Sequence, residues 1–465
     1  MKQIVHGVYH KPTLFSIAIK QLILYNEMRK IKSYRQVIII KNIYEKSRQK
    51  HGESLFYMAA TETGDMLSVS GPDMELFAGE VINESGETYK ICPLTVKNSK
   101  VIRDLFEFTR PQSHKGHNIT IGLGDRLGLA SAGHIRLLEN YDVFPVLAQQ
   151  SIRELNLTGR TYEDVLAAAV WSVFREGYTK GYGADGDHLK THEEVQYAID
   201  CGFTMITVDC SEHFPNGLEA VIKFATEIYD RHIRGKKIDF ELSIDETQTT
   251  TTPEDHFFIA EELKKAGVEP LSVAPRFVGE FQKGIDYIGD VDDFEKDFKV
   301  HAEIADKFGY KISVHSGSDK FSVFPIIGKL TNGKYHLKTA GTNWLEAVRV
   351  IASKNPGLYR EMHTFALENL SEARKYYHIT CDLSKIVDLA STPDSNLPAY
   401  MDENNARQVL HITYGLILQA KNPDGSFTFR DRIYNTLRIH EADYMAALEK
   451  HIGRHLAELG VKPNK

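Results

Sequence analysis

The chain has 465 residues, 42% of them apolar, enough to bury one large core or two. Its 56 basic residues against 63 acidic ones give a formal net charge of -7; with no long single-sign run, this argues against a nucleic-acid or membrane surface and leaves any anionic ligand to a local basic site. The four cysteines, Cys92, Cys201, Cys210 and Cys381, form no CxxC pair, so neither a disulfide framework nor a cysteine zinc site is expected, and buried thiols are.

No segment reaches the roughly 18 consecutive apolar residues of a membrane span. The apolar run 14–25 contains Lys20 and Gln21 and lacks a small-residue cleavage site, so a cytoplasmic location is expected. The first 30 or so residues fit no clear element, and an appendage outside the main fold is one reading of them. Up to residue 114, short β-rich runs at 37–40, 55–60, 66–70 and 89–94 are separated by turn clusters such as Gly71-Pro72-Asp73, which reads as an N-terminal α+β region over 1–114.

From 115 to 355 strand-like runs alternate with helical patterns. The runs are 119–124, 143–147, 181–185, 203–209, 238–244, 271–275, 312–315 and 335–339. Helices are expected at 162–178, 192–201, 217–233, 253–267, 293–309 and 343–353, several opened by Thr, Asp or Pro and closed by Gly. This alternation predicts an α/β fold, a (β/α)8 TIM-type barrel, with an open doubly wound sheet as the alternative. The last region, 356–465, is expected to be helical, at 358–377, 405–420 and 430–459, covering the barrel or forming a contact in a homo-oligomer. No repeat and no low-complexity segment is found.

The polar residues of chemical interest fall at the expected strand ends, the face where barrel enzymes work. In GADGDHLKT (183–191) an Asp-His pair can hold a divalent metal through the imidazole while the neighbouring carboxylate moves a proton. KISVHSGSDK (311–320) repeats the format with His315 before a small-residue turn. Asp187 is therefore the expected base, and His188 and His315 are the expected metal ligands. His336, in TNGKYHLKTAGT, is the expected third, with Glu280 or Asp209 as oxygen alternatives. Glu280, in a glycine-bounded loop, is the candidate partner acid. Asp245 and Glu246 divide evenly between rim ion pairs and a part in the site. Arg126, Lys190, Arg276, Lys320 and Lys338 are available for a substrate carboxylate, and an arginine fork suits it best. GLGDRLG (122–128) lacks the GxGxxG spacing and reads as a loop that turns Asp125 or Arg126 toward the site.

GLGDRLGLASAGHIR (122–136), GADGDHLKT and GEFQKGIDYIGD (279–290) together resemble the tagaturonate epimerase family over roughly 115–460. The resemblance implies a divalent metal cofactor (Zn, Mn, Co, Ni or Fe) and interconversion of the ketohexuronates D-tagaturonate and D-fructuronate. These differ at the carbon β to the ketone, which simple enolisation does not reach and retro-aldol cleavage does. Asp187-His188 and His315-Ser316-Gly317 are also similar to motifs of class II aldolases. A class II type aldolase and a non-catalytic carbohydrate-binding barrel stay open as alternatives.

Overall fold

A computed structural model describes residues 40–464 except 63, 85 and 115. The apolar run 14–25 and most of the 37–40 run lie outside the described residues. The N-terminal strands are β1 (Ile40–His51), β2 (Ser54–Thr61), β3 (Gly64–Ser70), β4 (Glu80–Glu84) and β5 (Glu87–Pro93). They form an antiparallel sheet in the order β1-β2-β3-β5-β4. Strands β2, β3 and β5 coincide with predicted runs. The edge strands β1 and β4 were missed for a physical reason: they are largely exposed and charge-rich, as edges that avoid pairing with other chains must be, so they lack the alternation that marks a half-buried strand.

Each of the eight runs predicted between 115 and 355 overlaps one barrel strand. These are β6 (Ile119–Leu123), β7 (Phe144–Ser151), β8 (Gly183–Leu189), β9 (Met205–Asp209), β10 (Asp239–Ser243), β11 (Ser272–Ala274), β12 (Lys311–Val314) and β13 (Tyr335–Thr339). All pair in parallel, and β13 closes on β6 with His336 opposite Thr120 and Lys338 opposite Gly122. That closure excludes the open doubly wound sheet. The intervening helices start on Thr161, Thr191, Thr252 and Asp290, whose side chains accept from backbone N–H groups of the first turn. Several end on a left-handed glycine, among them Gly177, Gly202 and Gly309.

The barrel strands alternate with period two, but with an unusual sign. Phe240, Leu242, Ile312, Val314 and Leu337 join the hydrophobic core cluster, while the buried residues between them are polar: Asp239, Glu241, Ser243, Lys311, Ser313, His336 and Lys338. The barrel interior is therefore a stack of hydrogen-bonded and ionic side chains instead of the usual branched aliphatics. Buried charges persist only when paired, which fixes their partners closely.

The chain beyond 355 forms helices Pro356–Glu368, Asn404–Ile412, Tyr414–Gln419, Arg430–Ile439 and Glu441–Glu458, packed around a second cluster that includes Trp344, Tyr359, Met401, Tyr414 and Leu448. The expected helix at 358–377 is shorter, ending at Glu368 with one further turn to Ala373, and the expected 430–459 helix is divided at His440. The four cysteines are buried and free. Among the described residues no helix is long and apolar enough to cross a membrane.

Candidate active site

Three layers of the barrel interior lead up to the site. Lowest, the Asp239 carboxylate pairs with His114 at 2.8 Å, and Thr120 Oγ1 meets His336 Nδ1 at 2.7 Å. In the middle, the Lys338 ammonium lies 2.7 Å from Asp185, 2.7 Å from Asp187 and 2.9 Å from Glu241, and donates to Thr207 Oγ1 at 2.5 Å. Ser272 Oγ donates to the other Glu241 oxygen at 2.5 Å. At the top stand His188, near the end of β8, and Asp245 and His315, just past the ends of β10 and β12.

The two imidazoles are held alike. His188 Nδ1 is 2.8 Å from Asp187 Oδ1, and its Nε2 is turned to Asp245 Oδ1 at 3.3 Å. His315 Nε2 is 2.7 Å from Glu241 Oε1, and its Nδ1 faces the same Asp245 oxygen at 3.0 Å. Each ring thus has one nitrogen on a supporting carboxylate and the other directed at a common point, the arrangement by which metal-binding histidines are oriented. One ligand atom from each of His188, Asp245 and His315 lies within 4.8 Å of the others. Two imidazole nitrogens and a carboxylate oxygen suit a divalent transition metal, so the donor set fits the cofactor class expected from the motifs.

The electrostatics agree. Asp185, Asp187 and Glu241 share the single Lys338 ammonium, and Asp245 adds a fourth carboxylate facing the two imidazoles, so the site attracts further positive charge. Burial would hold His188 neutral, but Asp187 and Asp245 raise it well above its ordinary range. His315 rises for the same reason, with Asp245 the main charge opposing burial. Burial acts to raise Asp187, yet His188 and Lys338 outweigh it and keep the carboxyl far below the usual carboxylate range. Asp185, more deeply desolvated, is pushed up to about 6 despite Lys338. His188 and Ser316 adopt left-handed backbone conformations, with φ of 53° and 49°. Such conformations cost energy in non-glycine residues and collect at functional sites.

A chamber opens above this cluster, lined also by Arg126, Gln149, Arg153, Lys283, Tyr377 and His411. Arg126 is clamped by two bonds to Glu154 Oε1, at 3.1 and 2.9 Å, and lies 3.7 Å over the Tyr414 ring. Its Nη1 is buried without a hydrogen-bond partner. Lys283 Nζ donates to Ser316 Oγ at 2.8 Å, and burial lowers its pKa. Gly122 and Gly341 carry no side chain where a Cβ would collide with Gln149 and His411 respectively.

A family model described as tagaturonate epimerase matches residues 44–222 and 217–459. The chain belongs to the tagaturonate epimerase family. It is 38% identical to the tagaturonate/fructuronate epimerase of Thermotoga maritima over 89% of this chain and 96% of that one. Crystal structures of the fructuronate-tagaturonate epimerase UxaE from Cohnella laeviribosi share 45% identity. The form with one glycerol superimposes with a TM-score of 0.88 over 96% of this chain and all of that one, and the native form with 0.87 over 95% and all.

Not every residue expected in the site of this family member lies at the cluster. His336 sits on β13 two residues before Lys338, about 6–7 Å deeper in the barrel, with Nδ1 bound to Thr120; the carboxylate grouped with the two histidines is Asp245 instead. Lys338 lines the floor of the chamber, where it is paired with the three carboxylates Asp185, Asp187 and Glu241. Lys190 stands at the rim, paired with Glu212 at 2.6 Å and Asp209 at 3.3 Å. Glu280 and Arg276 line an outer vestibule that shares Lys283 and His315 with the chamber. Glu280 accepts from Gln282 there at 2.5 Å, and Arg276 donates to the Thr247 carbonyl. Lys320 is buried on the carbonyls of Gln282, Ile285 and Ser318. Asp125 shapes its loop by accepting from the N–H groups of Leu127, Gly128 and Ala130, which leaves Arg126 as the residue facing the chamber. Sequence reasoning overlooked Gln149, Arg153, Lys283, Tyr377 and His411. Lys283 alone carried a signal, as the only cation in the GEFQKGIDYIGD motif.

Proposed function

We propose that this chain is a divalent-metal-dependent isomerase that interconverts D-tagaturonate and D-fructuronate by retro-aldol cleavage and re-addition. The observation that carries the reading is the convergence of His188, Asp245 and His315 beside the Asp187 carboxylate in a chain of this family. His188, Asp245 and His315 would hold the metal, of the Zn, Mn, Co, Ni or Fe class, which when bound supplies Lewis acidity toward the ketone and its neighbouring hydroxyl.

Asp187 removes the proton from the hydroxyl on the carbon β to the ketone. The pair of electrons freed on oxygen forms the aldehyde, the bond between the α and β carbons breaks, and its electrons pass to the ketone fragment as an enediolate. Lys338 and His188 keep Asp187 ionised for this task. The released aldehyde retains the carboxylate, which the unpartnered Nη1 of Arg126 can hold with Lys283 nearby. Anchoring that end keeps the fragment in place while the aldehyde turns about a single bond and presents its other face. Re-addition reverses the electron flow, and Asp187 returns the proton. Glu280 and Arg276 belong to the vestibule in this scheme and act on entry of the substrate. As an enzyme of hexuronate breakdown it would work in the cytoplasm.

The test is to strip the chain of metal, restore one divalent ion at a time, and follow D-tagaturonate and three-carbon aldehyde from D-fructuronate. Metal-dependent tagaturonate without free aldehyde is expected. Accumulating aldehyde would make it an aldolase, and no turnover with any metal would overturn the assignment.

A further inference from the structure

A second group of histidines and a carboxylate lies behind the active-site turn. His451 and His455 stand one helical turn apart on Glu441–Glu458, the i, i+4 spacing that puts two imidazoles on one face. Facing them is Asp319, four residues after His315, on a backbone with φ of 62°. One ligand atom from each of the three lies within 4.8 Å of the others. The supporting contacts are those of a metal site. His455 Nδ1 is 2.9 Å from the His451 carbonyl, and His451 Nδ1 is 3.5 Å from Glu346 Oε1, so both rings turn Nε2 toward Asp319. Asp319 Oδ1 and His451 Nε2 are buried and 3.0 Å apart, yet neither makes a hydrogen bond of acceptable geometry. The two atoms form an ion pair that falls short of hydrogen-bond geometry, and a third group joining them would satisfy both. The other Asp319 oxygen is held at 2.7 Å by Arg407.

We propose that Asp319, His451 and His455 form a second, structural binding site for a divalent transition metal of the zinc class, separate from the active site. An ion there replaces the His451–Asp319 contact and the 3.1 Å bond from Asp319 N–H to His455 Nε2. It would brace the C-terminal helix against the segment that carries His315 and Ser316. Imidazole nitrogen with one carboxylate oxygen favours Zn, Co or Ni over Mg or Ca.

The experiment is zinc uptake by the full chain after chelator stripping and gel filtration, measured by mass spectrometry of the metal. Two zinc ions per chain are expected for the wild type, and one for His188→Ala/His315→Ala. The variant His451→Ala/His455→Ala should also keep one; should it fail to fold, His455→Gln read by cobalt absorption in the His188→Ala/His315→Ala background replaces it. Loss of all zinc in His188→Ala/His315→Ala, or uptake indifferent to His451 and His455, would overturn the second site. Zinc that depends on His451 and His455 but not on His188 and His315 would uphold this inference and sink the proposed catalytic metal, so the two readings fail separately.

Discussion

Lys338→Met tests the idea that one buried ammonium neutralises the middle layer of the barrel. Methionine keeps most of the side-chain length and removes the charge that lies within 2.9 Å of Asp185, Asp187 and Glu241. Breaking a buried pair by deleting one partner costs about 3–5 kcal/mol. Because one cation serves three carboxylates, the cost is shared among them and does not triple. It also depends on pH. The Asp185 carboxyl is raised to about 6 from an ordinary 3.8, so the folded state holds an extra proton in that window. The stability this group confers is present below about pH 4 and is lost as pH rises through 6. Without Lys338 its pKa climbs further and the loss continues to higher pH, at up to about 1.4 kcal/mol per pH unit. Urea unfolding in chelator, followed by circular dichroism, should show Lys338→Met about 3–5 kcal/mol less stable than wild type at pH 8 and the gap about 1–2 kcal/mol smaller at pH 5.5. A gap that is absent, or the same at both pH values, would refute the reasoning.

Asp187→Asn keeps the shape of the base but not its charge, and kcat should fall about 100- to 10,000-fold while zinc uptake stays at the wild-type level; a variant that retains turnover would remove Asp187 from the chemistry. Arg126→Gln deletes a charge-assisted bond to the substrate carboxylate worth roughly 1.5–3 kcal/mol, so KM for D-fructuronate in steady-state kinetics should rise about 10- to 100-fold. The same variant with unchanged KM would place the carboxylate elsewhere.

The barrel was legible because its strands are short β-rich runs cut by capped helices, a pattern set by local chemistry. The strand ends bearing His188 and His315 were legible for the same reason. Depth inside the barrel was not. His336 and Lys338 share a face of β13, and only the observed strand boundary puts His336 a full layer below the cluster. Asp245, by contrast, sits just beyond β10, in register with the two histidines. The place of Glu280 was not legible either: its loop folds back on itself through pairing of Glu280 with Ile288, and its side chain lines the vestibule next to Asp245 and His315. Tyr377 and His411 come from C-terminal segments whose route over the barrel mouth depends on tertiary packing, so no local pattern marks them.

The most direct test of the central claim is to convert D-fructuronate in D2O with the metal-loaded enzyme and read the product by proton NMR. Cleavage between the α and β carbons leaves the C–H bond at the epimerised carbon intact, so D-tagaturonate should form with protium at that position. Deuterium there, or no conversion at all, would contradict the account.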